Sequence, residues 1–355
     1  MSNGLVAKIR TIVAVAHDIG GAQAIYPVIP TLRRRPNLRV NAIAGGFAKK
    51  VFARVKAENT ETDWSDTKID DYLDRTRPDL VLSGTSWKSC LEQGFRNRAR
   101  LRNIPSVVVI DFWSDHPRRW HDADYRFEDG QDRVCVPDKE TAASMVRYGY
   151  PKDLLYVTGQ PHLERCFRRA TLPESSSAAT EVTVLFLTIA LAALKLEQDP
   201  IAQIRVVCEA LGRWSVSIKK PVILTIRPHP HENPAPDFLR RIQNLAPSGV
   251  TVRMADRTKP ILGQLKKSDL VLGHITMGLF EARSLGKQAV ALEVTDHPPE
   301  LVAAMESAGI AFLPFHADRI TSFLSHSKQA TSDLGNLHRG AAAAVAKVCL
   351  DLMDR

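Results

Sequence analysis

The chain alternates, almost from end to end, between short apolar runs and longer stretches with helical spacing, and this alternation is the strongest constraint on its fold. In the first half the runs are 11–16 (TIVAVA), 39–43 (RVNAI), 79–82 (DLVL), 106–110 (SVVVI), 133–136 (RVCV) and 154–157 (LLYV). In the second half they are 182–187 (VTVLFL), 222–226 (VILTI), 250–254 (VTVRM), 270–272 (LVL), 289–292 (AVAL) and 310–313 (IAFL). Apolar runs this short, mostly without polar alternation, belong to strands buried on both faces, and the helical segments between them supply the crossovers that parallel strands require. The expectation is an α/β chain with two doubly wound parallel sheets. The loops that follow the strands then collect at the carboxyl edge of each sheet, and the two halves face a central cleft.

The break between the halves lies at 161–180, which holds Pro161, Pro173, the run Ser175, Ser176, Ser177 and several charges, the composition of an interdomain linker. This gives an acceptor-side domain at 1–160, a donor domain at 181–335, and a closing helix within 336–355 that is free to pack back on the first domain. A length of 355 residues accommodates two such domains. The longest apolar stretch, 182–196, is interrupted by Thr183, Thr188 and Lys195 and reads as a strand running into a helix, not a membrane span. The N-terminus lacks a signal-peptide cleavage pattern, and the five cysteines (Cys90, Cys135, Cys166, Cys208, Cys349) form no CxxC pair. Both features point to the cytoplasm and away from a thiolate zinc site.

The net charge of +9 is spread over separate clusters at 33–35, 96–102, 118–119 and 165–169. Such a surface attracts nucleic acid, anionic lipid or a phosphorylated ligand. No helix-turn-helix, zinc finger or aromatic RNA-binding signature accompanies it, so an anionic small substrate is expected and nucleic acid is not. Peripheral contact with anionic lipid and a homodimer stay open.

Two stretches in the second half carry chemistry. Residues 268–293 (SDLVLGHITMGLFEARSLGKQAVALE) read as strand, tight loop, short helix, strand. This βαβ step leaves a helix N-terminus at the carboxyl edge of the sheet, where backbone amides can hold a diphosphate, although an ordinary crossover has the same pattern. Residues 227–234 (RPHPHENP) follow a strand, and their three prolines hold a stiff loop. Such a loop can aim Arg227 and the imidazoles of His229 and His231 at a phosphate. Metal ligation by those histidines is not expected, because residues two apart on an extended segment point to opposite sides.

These two stretches resemble the C-terminal nucleotide-binding half of GT-B glycosyltransferases, two Rossmann-like domains in series. The pattern is similar to UDP-N-acetylglucosamine 2-epimerases and to the CDP-glycerol glycerophosphotransferase and capsule-polysaccharide transferase groups. HDIGGAQAIYPVI (17–29), DLVLSGTS (79–86) and SVVVIDFWSD (106–115) resemble strand ends in the first half of such enzymes. The resemblance implies an enzyme that moves a sugar from a nucleotide-activated donor to an acceptor hydroxyl or amine, with no metal and no cofactor beyond the nucleotide-sugar co-substrate. It implies that Arg227 and His229 meet the diphosphate or base, with His231, His274 and Met277 nearby. Thr276 and Gly278 then cradle phosphate oxygens and Glu281 accepts from ribose hydroxyls. The epimerases carry a strand-end Asp where this chain has Gly84, Thr85 and Ser86, and glutamates where it has Asp111 and Asp115. Transfer is therefore expected over epimerisation, with an epimerase, a hydrolase and a non-catalytic nucleotide-sugar binder as the alternatives.

Deprotonation of the acceptor needs a base. The candidates are His17 and Asp18 at the end of the first strand and Asp111 at the end of the fourth. Gly20 and Gly21 would let a substrate approach the backbone; Gly84, Thr85, Ser86 and Trp113 complete the expected acceptor side. His17 as a locally bonded strand-end histidine, Asp18 as a helix cap and Trp113 as a core anchor are the competing readings. Glu293 is a weaker candidate, and Trp120 and Tyr125 mark an expected acceptor loop.

Overall fold

The computed structural model describes residues 9–57, 64–87, 89–114, 116, 132–169, 180–189, 199–230, 232–293, 297–326, 334 and 338–354. His231, Asp115, Trp120 and Tyr125 lie outside the described residues, as does the 170–179 stretch of the expected linker. The chain divides into two compact units, one of residues 1–165 with 336–355 and the other of residues 166–335.

The first unit is built on a six-stranded sheet in the order β2-β1-β3-β4-β5-β6. Its strands are β1 (Arg10–Ala16), β2 (Leu38–Ala44), β3 (Leu80–Ser83), β4 (Ser106–Val109), β5 (Arg133–Val136) and β6 (Leu155–Val157), and every pairing is parallel. Side chains alternate across β1. Ile12, Ala14 and Ala16 pack with helices α1 (Ile19–Ile25) and α2 (Val28–Arg33) and with the C-terminal helix Ala341–Met353. Val13 and Val15 pack on the other face with α4 (Asp66–Thr76) and α5 (Leu91–Arg100). A short helix α3 (Ala48–Phe52) follows β2. Burial on both faces is why these strands read as apolar runs. The C-terminal helix belongs to this unit, and Glu164 caps it by accepting from the amides of Gly340 and Ala342 at 3.0 and 2.9 Å. Glu164 lies on α7 (Pro161–Arg168), a helix that occupies the start of the stretch expected as linker. Pro161 is tolerated there because the first turn of a helix has no donor to lose.

The second unit repeats the plan with the order β12-β11-β10-β7-β8-β9, again all parallel. Its strands are β7 (Val182–Leu187), β8 (Val222–Arg227), β9 (Val250–Met254), β10 (Leu270–Gly273), β11 (Gln288–Glu293) and β12 (Ala311–Pro314). The long helix α8 (Pro200–Ile218) starts at Asp199, whose carboxylate accepts from the Ile201 amide at 2.9 Å, and stops at Lys219 in the left-handed region. With α13 (Ala317–His326) it covers one face of the sheet.

Some of the basic charge is engaged within the units. Arg98 pairs with Asp66 and Asp70, and Arg102 with Asp70 and Asp74, so α4 and α5 neutralise one another. Arg96 is buried, lies 3.5 Å from Asp132 and donates to Ser83. Arg33 donates to the carbonyls of Val40 and Val55. The clusters read as a ligand-attracting surface are, at these positions, structural. No described helix is long and apolar enough to cross a membrane.

Candidate functional site

In the second unit the register of the sheet fixes what meets at its carboxyl edge. Leu187 pairs with Gly273 on one side and with Arg227 on the other, so the ends of β10 and β8 stand level across β7. Two strand spacings separate them, roughly 10 Å. After β10 the chain turns at His274, whose amide donates to the Leu187 carbonyl at 2.9 Å, and Thr276 starts α11 (Met277–Ser284). Thr276 is extended, its side chain makes no capping bond, and the first turn carries no acid. A helix start of this kind leaves amides and the positive end of the helix dipole available to an anion. Gly278 sits where a Cβ would come within 2.6 Å of a Leu187 methyl and 3.1 Å of an Ile261 methyl, so the glycine seats the helix close on β7 and on α10 (Ile261–Lys267).

The Arg-His loop after β8 is held by groups that the sequence did not single out. Thr188 donates its hydroxyl to Glu232, and the amide of His229 reaches Glu232 at 2.7 Å and the Thr188 hydroxyl at 3.0 Å. Arg257 crosses from the far side and donates to the carbonyls of Glu232 and Pro230 at 2.9 and 2.8 Å. Burial raises the Glu232 carboxyl above the ordinary carboxylate range, against the bonds from Thr188 and His229. Arg227 itself is turned sideways. Its guanidinium donates to Gln264 at 2.9 Å and to the carbonyls of Lys259 and Asp256 at 3.2 and 3.3 Å. A fork so occupied supplies charge to its neighbourhood more than a free bidentate grip. Partial burial lowers its pKa, and the nearby Glu281 carboxylate opposes that shift. Glu281 is buried on α11, while His274 lies between the rings of Phe186 and Phe315 and is pushed down to about 4 by burial, a neutral imidazole.

The strand ends of the first unit gather the other set. Ser83 pairs with Val15 and with Val108, so the residues after β1, β3 and β4 emerge side by side. His17 Nδ1 lies 2.7 Å from Asp18 Oδ1, and Asp18 Oδ2 accepts from the Trp87 amide at 3.0 Å. The ring lies over Gly46, where a Cβ would come within 2.5 Å of Nε2; Gly46 also has φ +38°. Thr85 donates to Asp111 Oδ1 at 2.7 Å. The expected role of the glycines changes here. A Cβ at Gly20 would meet Asp111 Oδ2 at 2.1 Å, and a Cβ at Gly84 would meet the Gly21 carbonyl oxygen at 2.5 Å. The atoms that come close at Gly20, Gly21 and Gly84 are the protein's own. Trp113 is likewise a core anchor: it is 1% exposed, and its indole donates to Asp138, which also caps α6 (Lys139–Arg147) through the Thr141 amide. Thr85 and Ser86 are buried.

Glu92 belongs to this set and was not anticipated. It is 2% exposed on the first turn of α5, and its Oε1 accepts from the His17 amide at 2.8 Å and the Ser86 hydroxyl at 2.5 Å. A single glutamate on an amphipathic helix gives no signal of this in the sequence, because its partners lie on other elements.

No family model matches the chain, and no curated protein sequence matches it. Solved structures do. S. aureus MnaA in its co-structure with UDP superposes with a TM-score of 0.71 at 14% identity, covering 98% of each chain. The Neisseria meningitidis UDP-GlcNAc 2-epimerase bound to UDP-GlcNAc gives 0.67 at 16% identity, over 97% of this chain and 99% of that one. The glycotransferase of kitacinnamycin gives 0.57 at 17% identity, over 98% and 99%. The chain has the GT-B fold. Identities this low establish the fold alone, and chemistry has to be argued from the residues.

Proposed function

We propose that the chain is a glycosyltransferase that moves a sugar from a nucleotide-activated donor, held by the second unit, to an acceptor hydroxyl or amine deprotonated by the first. The observation that carries this reading is the level placement of Arg227 and Gly273 on either side of Leu187, with the uncapped start of α11 directly after. That edge offers backbone amides, a helix dipole and a fixed cation to a diphosphate, the group whose charge grows as the bond to the sugar breaks. Proteins of the same fold were solved with UDP and with UDP-GlcNAc, which supports a nucleotide-linked sugar as the ligand class. In the first unit His17 is the base. Asp18 on Nδ1 fixes the tautomer that leaves Nε2 to accept a proton, and it stabilises the imidazolium that results. Asp111, engaged by Thr85 and packed on Gly20, holds the strand ends together and is not the base.

A 2-epimerase is the second reading, favoured by the fold neighbours that are epimerases. Against it stands the end of β3, where buried Thr85 and Ser86 occupy the place at which the resemblance expects an acid. One experiment separates the two. The protein is incubated with UDP-, CMP-, CDP- and GDP-linked sugars, with and without a panel of acceptor alcohols and amines, in the presence of EDTA. Acceptor-dependent release of nucleotide supports transfer without a metal. Release without acceptor marks a hydrolase, and loss of the C2 proton of UDP-GlcNAc to deuterated solvent marks an epimerase. Thermal stabilisation without turnover marks a binding protein, and each of the last three results overturns the proposal.

A further inference from the structure

We infer that Glu92 is a positioning residue of the first-unit site: its carboxyl ties the ends of β1 and β3 to α5 and thereby fixes the His17 and Asp18 pair. This rests in part on the reading of His17 as the base.

Two carboxyl groups cross-link two loops reciprocally. Asp18, after β1, accepts from the amide of Trp87, after β3. Glu92 accepts from the amide of His17, after β1, and from the hydroxyl of Ser86, after β3. The loop at 17–18 and the loop at 86–87 are thus bound at two points, one through each acid. The His17 carbonyl is also engaged, by the Ala48 amide at 2.8 Å, so the backbone of His17 is held from both sides and its ring is held by Asp18. A base must be kept within a few tenths of an ångström of the proton it removes, and a strand-end residue has no ladder to keep it there. Glu92 supplies that restraint from inside the core.

The chemistry of the group suits a neutral carboxyl. Oε1 takes both donors, while Oε2 is buried without a hydrogen-bond partner among the described residues. An ionised carboxylate with a bare oxygen in that place costs more than a protonated one, whose unpaired hydroxyl is neutral. The groups that face it are the His17 amide from β1, the Ser86 hydroxyl from the β3 loop, and the Asp18 carboxylate, whose charge further disfavours ionisation. Burial is the largest influence and raises the Glu92 pKa, opposed by the bonds from Ser86 and His17.

The test compares Glu92→Ala with Glu92→Gln, which keeps a neutral side chain and the Oε1 acceptor. Carbon-13 NMR of protein labelled at the glutamate carboxyl carbons, assigned with Glu92→Gln, should show Glu92 titrating above the ordinary glutamate value of about 4.3. Hydrogen exchange at the His17 amide should be fast in Glu92→Ala and slow in Glu92→Gln. With an active donor, Glu92→Ala should lose about tenfold or more in kcat with donor KM within about twofold, and Glu92→Gln should restore kcat to within about threefold of wild type. A merely structural glutamate would lower the melting temperature without that split. Titration with the exposed acids, equal exchange at His17 in all three proteins, or Gln as damaging as Ala would overturn the inference. If Glu92→Ala fails to fold, wild type and Glu92→Gln decide it by NMR and exchange. If no nucleotide sugar is turned over by wild type, the functional reading fails, and these two measurements still decide the role of Glu92.

Discussion

Replacing Gly84 with alanine should destabilise the first unit by about 3 kcal/mol, the upper end of the range for overpacking a closed core. The size follows from what the new methyl meets. Its Cβ would stand 2.5 Å from the Gly21 carbonyl oxygen and 2.6 Å from both the Gly21 carbonyl carbon and Cα. All three are backbone atoms of the first turn of α1, so no flexible side-chain end can move aside. That turn is held in its place by Asp111 lying on Gly20. For a unit of this size, each kcal/mol moves the melting temperature by roughly 2–4 °C, so the variant should melt about 6–12 °C early. Intrinsic fluorescence is a suitable probe, because Trp64, Trp87, Trp113 and Trp120 belong to the first unit and only Trp214 to the second. Gly263→Ala is the control of opposite sign: it lies within α10 with nothing within 4 Å of the added methyl. There alanine should be neutral or stabilise by up to about 1 kcal/mol, from helix propensity alone. A Gly84→Ala protein that melts within about 2 °C of wild type would refute the backbone-on-backbone contact inferred at this strand end.

Stability should fall in acid through two buried histidines, His274 in the second unit and His338 in the first, each pushed from 6.5 down to about 4 by burial. Their folded pKa values are depressed, so the unfolded chain binds more protons between pH 6.5 and about 4, and each group removes up to about 3 kcal/mol as pH falls across that window. Urea melts between pH 7.5 and 4 check this; a flat profile would contradict it. Glu92 works in the opposite sense, favouring the fold at low pH and losing that contribution as pH rises through its raised folded value. Glu164→Ala should uncap the C-terminal helix, costing about 1–2 kcal/mol and speeding amide exchange at residues 340–343, because the carboxylate meets the amides of Gly340 and Ala342. Unchanged exchange there would contradict the cap.

The fold was legible because a parallel sheet covered on both faces leaves a plain trace. The runs at 133–136, 182–187 and 250–254 coincide with β5, β7 and β9, and the other strands differ from their runs by a residue or so at an end. The positions of the candidate residues at strand ends were legible for the same reason, since the end of an apolar run is the edge of a sheet. What was not legible lies in contacts between distant parts of the chain. Glu92, Glu164, Glu232 and Arg257 act on residues of other loops or helices, and no spacing announces them. Gly20, Gly21 and Gly84 signal a close approach to the backbone, but a single sequence does not say whether a ligand or another loop approaches. The division between the units falls inside the expected linker stretch, whose first residues are helical because Pro161 opens α7.

The most direct test is calorimetric titration of UDP into wild type and Thr276→Asp, with thermal melts of both. Aspartate is a better cap than an unbonded threonine, so the variant should be as stable as wild type or up to about 1 kcal/mol more so. A second negative charge about 4 Å from a diphosphate costs on the order of 4 kcal/mol at the dielectric of a protein surface, so UDP should bind at least tenfold more weakly. Stability kept or raised while UDP affinity collapses is the expected result. A dissociation constant within about twofold of wild type would contradict diphosphate binding at the start of α11.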